Sequence, residues 1–264
     1  MALVVVHLVL GAWPALRELG LQRFVTDEGW YPSGGVAAGR FELSAMLVGS
    51  LATTLGAMLL VAPLGVMSAV FCHFYAPAWL RTPYRRLVEL LAGIPSVVYG
   101  FWGLTALAPL LRQIEPPGTS LLAGVLVLTL MIVPTVAALA DAALQAVPQG
   151  HLQGAAALSL SRFSLCRGVV LPAARSSLGI ALVLGTMRAI GETMAVLMVC
   201  GNLAEMPDGL FAPVRTLTAN IALELGYATD EHRSVLFVSG LLLMVIVLLL
   251  VTAQERLQRG REHA

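Results

Sequence analysis

The 264 residues are 58% hydrophobic and only 12% charged, with a mean hydropathy of +0.85 and a formal net charge of +1. That balance excludes an ordinary soluble domain, and 16 basic residues set against 15 acidic ones leave no basic surface for nucleic acid. The three cysteines, Cys72, Cys166 and Cys200, lie far apart without metal-ligand or redox spacing and read as small apolar residues.

A bilayer core about 30 Å thick takes about 20 mostly apolar helical residues, and runs of that kind recur from end to end. The first, Ala2 to Leu16, is short for a span and begins at once, so a helix start upstream of Met1 is expected. With no cleavable signal pattern, insertion is expected to rely on the apolar segments themselves. The second run, Leu43 to Tyr75, is long enough to tilt or to extend beyond the bilayer. Its Ser50, Thr53 and Thr54 favour hydrogen bonds between helices over substrate contact.

The third run, Leu87 to Leu111, is interrupted at Gly93-Ile94-Pro95-Ser96. Two readings stand there: a packing kink, or a break at membrane depth where Ser96 and Tyr99 line a path. Glu89 sits beside Arg85 and Arg86, which reads as a surface ion pair. The fourth run covers Ser120 to Ala140.

The loop from Asp141 to Ser177 is longer than a hairpin needs. From Pro148 to Pro172 its larger apolar residues, Leu152, Ala156, Leu160, Phe163 and Val170, recur at helical spacing, with His151, Gln153, Ser161, Arg162 and Arg167 opposite. An amphipathic helix bounded by prolines fits a partner's groove or the lipid headgroup layer.

The fifth run, Leu178 to Cys200, carries Arg188 and Glu192 four residues apart in an otherwise apolar stretch. A mid-membrane arginine costs about 2.5 to 3.5 kcal/mol on insertion scales. It therefore calls for a protein interior or wet cavity and a partner, and Glu192, one turn away, can be that partner, though either group can also pair with a neighbouring helix. Arg188 also matches oxyanion geometry as a planar, permanently charged fork. A substrate path and a structural ion pair both remain open on these grounds, while Gly185 and Gly191 permit close helix packing. The loop from Gly201 to Ser234 has room for a short surface helix, and Val235 to Ala253 forms the last run.

Basic residues retained inside the cell orient the chain. An interior N-terminus places Arg81, Arg85, Arg86, Arg162, Arg167, Arg175, Arg256, Arg259 and Arg261 in the cytoplasm, against Arg17, Arg23, Arg40, Arg112, Arg215 and Arg233 outside. Both termini are then cytoplasmic. His7, His73, His151 and His232 form no metal-ligand constellation, and no catalytic group is assigned. No Walker A pattern occurs, so an energy source of that kind belongs to another polypeptide.

Three stretches carry a family resemblance. The loop is similar to the EAA loop of ABC importer permeases: Ala155 and the closing Val169, Leu171 and Pro172 fit, whereas Gln153 takes the glutamate place, Gly154 an alanine place and Ser159 the glycine place. Arg188-Ala-Ile-Gly-Glu-Thr-Met-Ala-Val196, followed by Cys200-Gly201-Asn202, resembles the signature of PstC-type phosphate permeases, as does Glu89-Leu-Leu-Ala-Gly-Ile-Pro-Ser-Val-Val-Tyr-Gly-Phe-Trp-Gly103.

The resemblance implies an all-α membrane protein of about six transmembrane helices with the MetI-like architecture of type I ABC importer permeases. The expected divisions are 1–42 (N-terminal helix and outer loop), 43–253 (permease domain, with its coupling loop about 141–177) and 254–264 (cytoplasmic tail). It further implies phosphate passage by Arg188 and Glu192, a second PstA-like permease, a PstB-like dimer that binds the ATP, and a periplasmic PstS-like phosphate-binding protein. No cofactor on this chain is expected. Helix Pro148–Pro172 is expected to dock on the ATPase, with Pro172 marking its end. A sulfate or molybdate importer is the alternative within transport; an ion-coupled transporter without an ATPase is the alternative outside it.

Overall fold

The computed structural model describes residues 2–32 and 39–262, and it is helical almost throughout. Of the expected outer loop, 33–38 lies outside the described residues, as do the last two residues of the tail and the side chains of Arg259 and Arg261.

In chain order the elements are α1 (Ala2–Thr26), a two-stranded hairpin β1 (Trp30–Tyr31) and β2 (Arg40–Phe41), α2 (Ser44–Val70) running into a π-helical turn π1 (Phe71–Tyr75), and α3 (Ala78–Ala92). Next come α4 (Ser96–Trp102), π2 (Gly103–Leu107), α5 (Ala108–Arg112), α6 (Leu121–Gln145), α7 (Gln149–Ala157), α8 (Arg162–Leu165), π3 (Cys166–Val170) and α9 (Leu171–Ile190). The chain closes with α10 (Met194–Val199), α11 (Leu217–Glu224) and α12 (Asp230–Glu262).

Among the described residues, five helical runs are long and apolar enough to cross a membrane: Ala2–Thr26, Ser44–Tyr75, Leu121–Gln145, Arg162–Ile190 and Asp230–Gln258. A sixth is reached when Ala78–Ala92 and Ser96–Arg112 are joined across Gly93–Pro95. The first run extends past the expected Leu16, because Gly20, at φ 67°, joins two helical pieces with a backbone that favours glycine. The third breaks outright. Gly93 closes α3 by donating to Glu89 and Leu90, and Pro95 disfavours helical backbone at Ile94 before it.

The larger departure is at the expected loop 141–177. Helix α6 continues to Gln145 and a new run begins at Arg162, leaving only α7 and its flanks between them. Pro172 lies inside that run rather than ending it. The π turn just before it, closed by Leu171 N donating to Cys166 O, widens the backbone where the proline lacks a donor.

The chain divides into two compact units, one of 1–55, 96–128 and 190–248, the other of 56–95, 129–189 and 249–264. The core of the first joins α1, the hairpin, α11 and α12 through Ala12, Leu19, Phe41, Met46, Leu217 and Val235. Ser50 fastens this unit by donating to Met46 O (2.8 Å) and accepting from Leu217 N (2.9 Å). The core of the second joins α2, α6 and the start of α9 through Ala69, Ala140, Leu144, Val170, Ala174 and Leu178. Here Gly185 lets α9 approach α6 so closely that a Cβ would stand 2.6 Å from Val136 Cγ2. Gly191 does not share that role; it is exposed beyond the end of α9.

Candidate functional site

Ser96 opens α4 and Tyr99 follows one turn on, both half-buried. The glycines of the same stretch explain its neighbour. A Cβ at Gly100 would lie 2.9 Å from Ala195 Cα, and one at Gly103 would lie 2.8 Å from Val199 Cγ1, so α4 and π2 pack directly on α10. Two segments distant in sequence, 96–103 and 194–199, thus form one layer of the first unit.

Immediately before α10 the expected fifth span is interrupted. Helix α9 ends at Ile190, and Gly191–Thr193 leave helical geometry before α10 starts at Met194. The one-turn register that would place Glu192 over Arg188 is lost. Instead, Glu192 Oε1 accepts from Ala195 N at 3.1 Å, satisfying one of the orphan donors at the start of α10. Its backbone carbonyl accepts from Thr218 Oγ1 at 2.8 Å. Arg188 is exposed near the end of α9, and its side chain makes no hydrogen bond or ion pair among the described residues.

The residues matching the EAA pattern divide between two elements. Gln153, Gly154 and Ala155 lie on α7, where Ala155 is buried and the other two are exposed. Leu152 packs the helix onto the core of the second unit. Val169 sits in π3, half-buried, while Leu171 and Pro172 begin α9. Ser159, at the glycine place, has φ 53°. The left-handed backbone there accounts for a glycine in the pattern; a serine adopts it only under strain. Leu158, Leu160 and Phe163 are exposed around this turn, an apolar patch of the kind a protein partner covers.

Two polar clusters had no clear signal in the sequence. In the first unit, the Glu224 carboxylate accepts from Trp30 Nε1 (3.0 and 2.8 Å) and from Arg215 (2.8 Å), and meets His232 Nε2 at 2.8 Å. Arg215 also donates to Asn202 O and Asn220 Oδ1. The expected short helix of the outer loop exists as α11, but this network and Leu217 draw it inward, so Leu217, Ala219, Asn220 and Glu224 are buried rather than displayed. Tyr227 follows in the next turn; its phenol is held above the ordinary range, by desolvation first and by the Glu224 carboxylate second.

In the second unit, Arg85 pairs with Asp141 (2.9 Å), not with Glu89, and His73 lies 3.5 Å from the same carboxylate. Among the described residues no group of three His, Cys, Asp or Glu side chains is placed to hold a metal ion, and all three cysteines are free and buried.

Comparison with known proteins adds relatives across nearly the whole chain. The family profile described as binding-protein-dependent transport system inner membrane component matches residues 62–263. A probable ABC transporter permease protein, YqgH, of Bacillus subtilis is 39% identical, covering 90% of this chain and 78% of its own length. The phosphate transport system permease protein PstC of Mesorhizobium japonicum is 35% identical over 97% of this chain and 84% of its own. Among solved structures, an inward-facing MetNI methionine ABC transporter chain superposes with a TM-score of 0.66 at 22% identity, covering 82% of this chain and 96% of that one. The last likeness concerns the fold.

Proposed function

The chain belongs to the family of binding-protein-dependent transport system inner membrane components, and on that premise we propose that it is the permease subunit through which an ATP-driven importer passes phosphate. The observation that carries the substrate is the near full-length similarity to proteins named as phosphate permeases, 35% identical over 97% of this chain in one case. Arg188 supports it: an exposed guanidinium without a partner among the described residues has the charge and fork geometry to engage phosphate oxygens. Glu192 acts indirectly in this reading, holding the start of α10 beside α4 and thereby setting the wall that contains Ser96 and Tyr99.

A second, PstA-like permease completes the path. A PstB-like ATPase dimer binds and hydrolyses the ATP and docks on α7 and the exposed Leu158–Phe163 turn from the cytoplasm, where both termini of this chain also lie. A PstS-like binding protein delivers phosphate from the other side. Gln153 contributes an amide hydrogen bond at that dock in place of a carboxylate's charge.

Uptake of labelled phosphate into proteoliposomes holding the whole importer tests this reading. Arg188→Gln is expected to abolish ATP-dependent uptake and Arg188→Lys to retain a fraction of it; uptake by Arg188→Gln equal to the unaltered protein removes the assigned role. Competition by sulfate or molybdate as effective as unlabelled phosphate would shift the substrate to another oxyanion.

A further inference from the structure

Asp141, a carboxylate only 8% exposed on the long apolar helix α6, gathers side chains from three elements. Gln145 of the same helix donates to Oδ2 at 2.7 Å, Arg85 of α3 reaches both oxygens at 2.9 and 3.2 Å, and His73 of π1 lies 3.5 Å from Oδ1. A carboxylate at that burial is costly unless paired, and one with so many partners fixes the elements that supply them.

What it fixes has few other holds. Helix α3 is strongly two-faced in sequence, yet none of its residues is fully buried, and Trp79, Leu87 and Leu90 are exposed. Among the described residues, its side-chain contacts to the unit besides Arg85 include the Tyr84–Ser68 hydroxyl pair at 2.6 Å and the Tyr84 ring against Phe71. An element with little buried apolar area is drawn from the low-stability end of a structure. A cavity of about 350 Å³ lies beside the pair, lined by Ser68, Tyr84, Arg85, Glu89, Asp141 and Gln145 among others. Glu89, one turn along α3, gives the guanidinium a second carboxylate on its own helix, so α3 can leave Asp141 without stranding Arg85.

The other side of π1 faces the segment that follows the EAA-like helix. Arg162 of α8 donates to Phe74 O at 3.2 Å, next to His73, and Leu152 and Leu165 pack with Phe74, Val66 and Val70 around the same core. A continuous set of contacts therefore runs from α7 and α8 through π1 to Asp141 and on to α3, from which the chain leads through Gly93–Pro95 to Ser96.

We propose that Asp141 is a positioning residue of the transport cycle, holding π1 and, through Arg85, α3, so that a displacement of α7 and α8 is delivered to α3. This rests on the reading of the chain as an importer subunit. The Arg85–Asp141 pair is the joint at which delivery succeeds or fails.

The test measures labelled phosphate uptake and ATP hydrolysis together in proteoliposomes containing the whole importer. Phosphate moved per ATP hydrolysed falls about fivefold or more in Asp141→Asn and in Arg85→Gln, the double variant is no worse than either single, and Asp141→Glu recovers most of the loss. The neighbouring exposed Arg86→Gln keeps the original ratio. An unchanged ratio in both single variants overturns the proposal, as does a double loss equal to the product of the singles. Hydrogen exchange over 78–92 in the assembled complex reads the docking without any transport. Exchange is about tenfold faster in Arg85→Gln, and no acceleration overturns the proposal on its own. If the unaltered importer moves no phosphate while this acceleration appears, the substrate reading fails and the joint stands.

Discussion

Removing the Glu224 carboxylate is expected to be among the most damaging single changes in the first unit. Its side chain is 7% exposed and it is the shared acceptor for Trp30 Nε1 and Arg215, with His232 at hydrogen-bond distance. Glu224→Ala strands the Arg215 guanidinium, itself 19% exposed, and breaking a buried pair in this way costs about 3 to 5 kcal/mol. Arg215 keeps its bonds to Asn202 O and Asn220 Oδ1, which places the expectation at about 3 kcal/mol, the lower end of that range, with roughly 1 kcal/mol more from the orphaned indole. Unfolding of the purified chain by SDS titration in mixed micelles, followed by helical circular dichroism, measures the loss. The Arg215→Ala single and double variants complete the cycle, and the double variant is expected to be more stable than the two separate losses would sum to. A loss below about 1 kcal/mol for Glu224→Ala, or strict additivity in the cycle, would refute the argument that this network holds the hairpin and α11 together.

The strain at Ser159 predicts that Ser159→Gly raises stability by roughly 1 kcal/mol and that Ser159→Val lowers it, both readable in the same titration. Gly100→Ala is expected to cost about 1 to 3 kcal/mol because the new methyl meets backbone at Ala195, whereas Gly154→Ala, with open space around it, costs nothing and favours the helix. Glu192→Gln retains an acceptor for Ala195 N and is expected to leave phosphate uptake largely intact, while Glu192→Leu removes the cap and depresses it; equal uptake by the two would discount the capping role.

The spans were legible because insertion selects for apolar length, a property that composition carries residue by residue. Their interruptions were legible only in part. Pro95 announced itself, but the break at Gly191–Thr193 carries no proline, and the local sign was a glycine followed by two residues able to cap. Reading Arg188 and Glu192 as one helical turn assumed continuity that the run does not have. Ser159 was visible in another way: a position where a family pattern carries glycine points to a left-handed backbone whatever residue stands there. Glu224 with Trp30, and Arg85 with Asp141, are separated by 194 and 56 residues, and no periodicity links such partners. Arg85 had an acidic neighbour on its own helix, and local spacing favoured it over the carboxylate that tertiary structure supplies.

The π turn at Cys166–Val170 has a consequence for how this chain tolerates insertion and deletion. Such a turn holds one residue more than an α-helical turn, so deleting Gly168 would let the run close as ordinary α-helix with its two ends in nearly the same phase. Arg162 would stay close to Phe74 O while α9 kept its seat against α6. The spare residue is therefore one the run can lose without changing which faces its two ends present. A second deletion, with no wide turn left to absorb it, would rotate one end against the other by about 100°.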